Sequence, residues 1–165
     1  MNVGRWLRHL VSGPLSVSAA FPAAAMAAIE AEIRATEATH LGEIVFAVQG
    51  ALDGQRLMRG ISARERAIEV FSELRVWDTE HRNGVLVYLL LADRDVEIVA
   101  DRGIHRPCGA EAWEEICHAM EEEFRAGRFE AGAIRGIREI GAHLTRHFPG
   151  DGTRSNELSD RPVVL

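Results

Sequence analysis

The chain contains no lysine; all 19 of its basic residues are arginine. Two reaction classes go with that absence. A phosphate-binding P-loop needs a lysine on the β/γ-phosphates, and a Schiff-base enzyme needs a lysine amine. Cysteine is scarce as well. Cys108 and Cys117 stand nine residues apart and form no CxxC pair, so neither a zinc knuckle nor a redox motif is written here. Cys117 falls on an apolar helical stripe and reads as a small core residue. Long hydrophobic runs are missing too. The longest, Val85 to Ala92, is eight residues, the length of a strand and far short of a membrane span. The first residues mix Arg5 and Arg8 into Trp6, Leu7, Leu10 and Val11, which breaks any secretory h-region. A soluble, cytoplasmic protein that does not span a membrane is the expectation. The net charge of −6 provides no basic face for nucleic acid.

What is present suits one domain, with 47% apolar residues over 165 positions. Residues 1–21 read as a leader, irregular or packed on the domain, in which Trp6, Leu7 and Leu10 could form a short packed turn. Residues 22–149 carry the periodic elements and residues 150–165 a mobile tail. The tail's Val163, Val164 and Leu165 could instead dock on the core or an edge strand. Met26, Ile29 and Ile33 repeat at helical spacing, and Glu43 to Gln49 reads as a strand. Ser62 and Glu65 spell a capping box ahead of a second helix. Val85 to Ala92 is apolar on both faces, as a covered central strand requires. Asp93-Arg94-Asp95 is turn chemistry, and Val96 to Asp101 returns. Two amphipathic helices follow, one on Trp113, Ile116 and Met120, the other on Ile134, Ile137 and Ile140. The order α-β-α-β-β-α-α predicts an α/β three-layer α/β/α sandwich around a small mixed sheet.

In that topology the first two strands begin at one end of the sheet and the third ends there. Glu43, Asp78, Asn83 and Asp101 are therefore expected on one rim, with Asp93 and Asp95 at the other end. Oxygen ligands without histidine or cysteine suit Ca2+ or Mg2+. The plainer reading gives Asp78 and Thr79 loop hydrogen bonds, makes Asn83-Gly84 a turn and pairs Asp101 with an arginine. Arg82 and Arg102 flank the rim and could steer a phosphate or another ligand. No nucleotide or organic cofactor is indicated.

Other motifs fail on detail. LLLADRDV matches the DxD of haloacid-dehalogenase phosphatases through Asp93 and Asp95, but VEIVAD returns at once and leaves both in a hairpin turn. His143 and His147 have zincin spacing, yet Leu144 stands where the glutamate should be. Glu114 and Glu123 occupy the positions where a cysteine phosphatase needs arginine, and no G-x-S-x-G occurs.

The strand GEIVFAV, the helix ERAIEVFSELRV, the loop and strand HRNGVLVYLLLADR and the return strand VEIVADRGI together resemble the TPM domain. The late helices and HFP are similar too, and the resemblance covers roughly residues 22–149. That family of α/β/α proteins occurs in bacteria and in chloroplast thylakoids. The resemblance implies a small sheet between helices. Some members bind divalent metal or have been proposed as weak acid phosphatases. Others are linked to photosystem repair or membrane assemblies, often with a signal peptide and an anchoring helix, neither of which is expected here. Asn83 and Gly84 match the family's loop-to-strand motif, and Asp101 occupies its second loop, where ADRG replaces a glycine-rich segment. No nucleophile is assigned. The expected role is a binding or accessory module with an unknown protein partner, with a divalent-metal-dependent phosphatase as the alternative.

Overall fold

The computed structural model describes residues 3–152 and 156–165. Two apolar runs build its centre. β1 (Glu43–Gln49) and β2 (Gly84–Leu90) lie parallel, with Glu43 opposite Gly84, and every residue of both is buried. β3 (Asp95–Ala100) returns antiparallel to β2, with Val85 opposite Ala100. β4 (Val163–Val164) pairs parallel with β1 on its other side, so the sheet order is β3-β2-β1-β4.

Strand alternation then divides the core in two. Ile44, Phe46, Val87 and Ile98 join one cluster with residues of α3 (Ala23–Glu37), α7 (Ala110–Arg125) and α8 (Phe129–His147). Val45, Leu86, Tyr88 and Val99 join the other with Ala67 and Val70 of α5 (Ala63–Glu73). This is the three-layer α/β/α sandwich with a mixed sheet. The capping box forms as expected: Ser62 Oγ accepts from Glu65 N at 3.1 Å, and Ser62 N donates to Glu65 Oε2 at 2.8 Å. Buried Arg66 of α5 donates to Gln49 Oε1 at 3.0 Å, and the Tyr88 hydroxyl donates to the same oxygen at 2.9 Å. A polar network thus stays satisfied inside the second cluster.

Three segments outside the expected α-β-α-β-β-α-α elements are helical. The leader forms α1 (Val3–Val11) and α2 (Pro14–Ala20). Trp6 packs against the second cluster, but Leu7 and Leu10 do not; they are 59% and 74% exposed. The glycine-containing loop after β1 holds α4 (Gly54–Met58), capped by Asp53. The segment with Gly103 and Pro107 is α6 (Arg102–Cys108). Asp101 is not its strand's last residue but the helix's N-cap, because its side chain accepts from Arg102 N at 2.6 Å. The described part of the tail docks rather than floats. Leu165 N donates to Val48 O at 3.0 Å, and Arg34 Nε contacts Asp160 Oδ2 at 3.3 Å. Residues 153–155 lie outside the described residues.

The hairpin turn carries Asp93 and Asp95 to the far end, as the topology required. Desolvation, with Glu97 and Glu121 nearby, pushes the Asp95 carboxyl up to about 6 from 3.8. The folded chain then holds this proton where the unfolded chain releases it, so stability falls as pH rises from about 4 to about 6. Asp95→Asn removes that penalty. Urea melts should show a gain of about 1 kcal/mol at neutral pH, a value discounted for partial exposure, and no gain once both states are protonated in acid. An equal gain at both pH values would contradict the charge-based account.

Candidate functional site

The rim forms where β1 and β2 begin and β3 ends. Asp101 N donates to Gly84 O at 2.9 Å, which ties the second loop to the start of β2. The entry loop before β2 is folded tightly against both. Arg75 and Arg82 adopt left-handed φ values of 52° and 53°. Buried Thr79 accepts from Asn83 N through Oγ1 at 3.2 Å. Two glycines permit the close approach: a Cβ on Gly84 would stand 2.0 Å from Val76 O, and one on Gly103 would stand 2.4 Å from Arg82 O.

The residues expected here have different fates. Glu43, Asn83 and Asp101 do lie at the same sheet end. Glu43 is 1% exposed, and its carboxylate accepts from Glu157 N at 3.3 Å and Leu158 N at 3.2 Å. It fastens the tail. Asn83 is fully buried; its Nδ2 donates to Leu41 O at 3.0 Å, while its Oδ1 has no hydrogen-bond partner. Asp101 caps α6 and also faces outward into a shallow cleft of about 220 Å3, lined by Trp77, Arg82, Asp101 and Arg102. Asp78 is exposed on the entry loop. Among the described residues no group of three or more His, Cys, Asp or Glu side chains is placed to share a metal ion. The cleft therefore has two guanidinium groups against one carboxylate that already accepts from a backbone N–H.

Trp77 was not legible as part of this site; nothing in its spacing separates it from a core aromatic. A second charged centre was also missed. At the far end Asp93 receives Arg5 Nε at 2.9 Å and Arg8 Nη2 at 3.1 Å, and it lies 3.2 Å from His9 Nε2. His9 Nδ1 accepts from Leu52 N at 3.0 Å, which leaves the imidazole proton on Nε2, toward Asp93. The signal was the spacing Arg5, Arg8, His9, which puts all three toward one side of a helix. Asp93 is thus held in an ion cluster that fastens the first helix to the sheet end. His143 packs at a tilt against Trp113, with ring centroids 5.7 Å apart and ring planes at 55°. Both cysteines are free, and burial pushes the Cys117 thiol up to about 12, so it is a packing residue.

Fold and site together define an α/β/α domain with a polar rim at the sheet end where the parallel strands start and a charged cluster at the other. The chain belongs to the TPM domain family, whose model matches residues 18–143. It is similar to the BA42 protein of the psychrophilic bacterium Bizionia argentinensis, with 28% identity and a TM-score of 0.78 over 88% of this chain and 95% of that one. The N-terminal domain of a P. gingivalis protein shares the fold, with 18% identity and a TM-score of 0.58 over 72% of this chain and 74% of that one. Among curated proteins none matches the chain. No single helix among the described residues is long and apolar enough to cross a membrane.

Proposed function

We propose that this protein is a binding or accessory module whose rim takes an anionic group, phosphate or carboxylate, between Arg82 and Arg102. The cleft's composition carries the reading. Two arginines and the flat face of Trp77 line it, and its sole carboxylate is engaged by Arg102 N. Guanidinium groups bind such anions through paired N–H donors. Titration with inorganic phosphate tests this. The double substitution Arg82→Ala/Arg102→Ala is expected to weaken binding at least tenfold, about 1.4 kcal/mol, with the melting temperature nearly unchanged because both side chains are exposed. Equal binding by both proteins would sink the assignment.

A divalent cation, Ca2+ or Mg2+, is the second ligand this rim could take. One observation favours it: Asn83 Oδ1 is a buried carbonyl oxygen without a partner. Leaving such a group unpaired costs about 1–3 kcal/mol, which an ion would offset. Asp78 and the Asp101 oxygen that the cap does not use would be its carboxylate donors, whereas Glu43 already holds two tail N–H groups. A bound ion would supply Lewis-acid polarisation of a phosphoryl oxygen. With Arg82 or Arg102 orienting the phosphate, that combination is the divalent-metal-dependent acid phosphatase alternative. Aryl phosphate turnover measured with and without chelator separates it from the binding module. Chelator-sensitive turnover lost in Asp101→Asn supports the hydrolase, and turnover that persists in that variant removes it.

A further inference from the structure

α1 is amphipathic, and it is seated the wrong way round. In an ordinary surface helix the apolar stripe faces the core and the charges face water. Here Arg5 and His9 face the body of the protein, where they grip Asp93, and His9 is only 5% exposed. Val3, Leu7 and Leu10 stand at i, i+4 and i+7 on the opposite side, with Val11 beside them. Leu15, in the first turn of the next helix, is exposed as well. These five aliphatic residues are between 59% and 87% exposed. Scattered exposed leucines are ordinary; a continuous row turned outward by a buried charge cluster is not.

Next to this row runs a groove of about 670 Å3. Arg8, Asp93 and Arg94 line it, together with Ser12, Val11 and Phe129. Arg94 is exposed and held in a left-handed conformation with φ of 52°. No aspartate or glutamate occurs before Glu30, although the chain as a whole has a net charge of −6. Beside the outward apolar row the cations outnumber the acid: Arg5, Arg8 and Arg94 stand around the single carboxylate of Asp93, which Arg5 and Arg8 already pair.

We propose that the α1–α2 face is a docking surface for an anionic phospholipid membrane. The aliphatic row would enter the acyl boundary, and the groove between Arg8 and Arg94 would receive the headgroup phosphate. Charge decides between this and self-association. A symmetric pair of copies through this face would set Arg8 and Arg94 against their own counterparts, and the one acid there, Asp93, is already paired with Arg5 and Arg8. A phosphate-bearing surface complements them. The inference is independent of the rim, which lies at the other end of the sheet.

Sedimentation of the full chain with vesicles tests it. Phosphatidylglycerol vesicles are expected to bind, phosphatidylcholine vesicles to bind at least tenfold more weakly, and added salt to reduce the binding. Leu7→Gln/Leu10→Gln should lose at least tenfold with an unchanged melting temperature, since neither side chain packs inward. Arg94→Ala should lose about fivefold. Three results would overturn the proposal. The first is no binding to phosphatidylglycerol vesicles, and the second is equal binding by the double leucine variant. The third is a dimer in light scattering that the same variant abolishes, which would make a second copy the occupant.

Discussion

Asp93→Ala is expected to lower stability by about 3 kcal/mol, a drop in melting temperature of roughly 6–12 °C for a chain of this size. One carboxylate, 12% exposed, holds Arg5, Arg8 and His9. Its removal leaves the fully buried His9 ring with Nε2 facing no acceptor and frees α1 from the sheet end. Burial alone would push the Asp93 carboxyl up. Hydrogen bonds from Arg5 and Arg8, with His9 Nε2 lying 3.2 Å away, outweigh that and hold it below the usual 3.8. The sign follows: this stabilisation is complete above the unfolded value and is lost as pH falls through the lower folded value. Urea melts of wild type and variant should therefore differ most near neutrality, begin to approach each other only below about pH 4, and come closest once Asp93 is protonated in both states. Trypsin should cut at Arg5 and Arg8 much faster in the variant. A variant with unchanged melts and unchanged cleavage would show that the clasp contributes nothing.

Gly84→Ala is expected to cost about 3 kcal/mol and to abolish anion binding at the rim. The new methyl would meet Val76 O at 2.0 Å and the Val76 Cγ1 methyl at 3.0 Å. The first obstacle is backbone, and Val76 is fully buried, so neither neighbour can swing aside. Relief would require moving the segment from Val76 to Asn83 off the start of β2. That movement would displace Arg82 and break the bond from Asn83 N to Thr79 Oγ1. The matching control is Gly54→Ala, where nothing lies within 4 Å of the added Cβ. Thermal melts of the two variants side by side check the claim, and equal stability would refute it.

The rim's location was legible because it needs only strand order and direction. Glu43, Asn83 and Asp101 fall together once β1 and β2 are parallel and β3 returns. Which of their atoms remain available was not legible. Glu43 looks like a ligand in sequence, but its oxygens accept from Glu157 and Leu158, more than a hundred residues later. Asp101 looks like a strand end, but the residues after it form α6 despite Gly103 and Pro107. Those two residues argue against helix locally, and the cap and the packing of Ile104 outweigh them.

By itself the sequence determined the periodic parts of this protein. The apolar runs of β1 and β2, the stripes of α3, α7 and α8 and the Ser62–Glu65 box each encode their structure within a few neighbouring residues. Lysine's absence likewise needed no coordinates. Only the tertiary structure decided which charges meet. Asp93 and His9 are 84 positions apart, and the grip between them turns the apolar side of α1 outward against its own amphipathic pattern. The physical reason is that a hydrophobic stripe specifies that a face wants covering, whereas a buried ion cluster specifies which face the body of the protein covers.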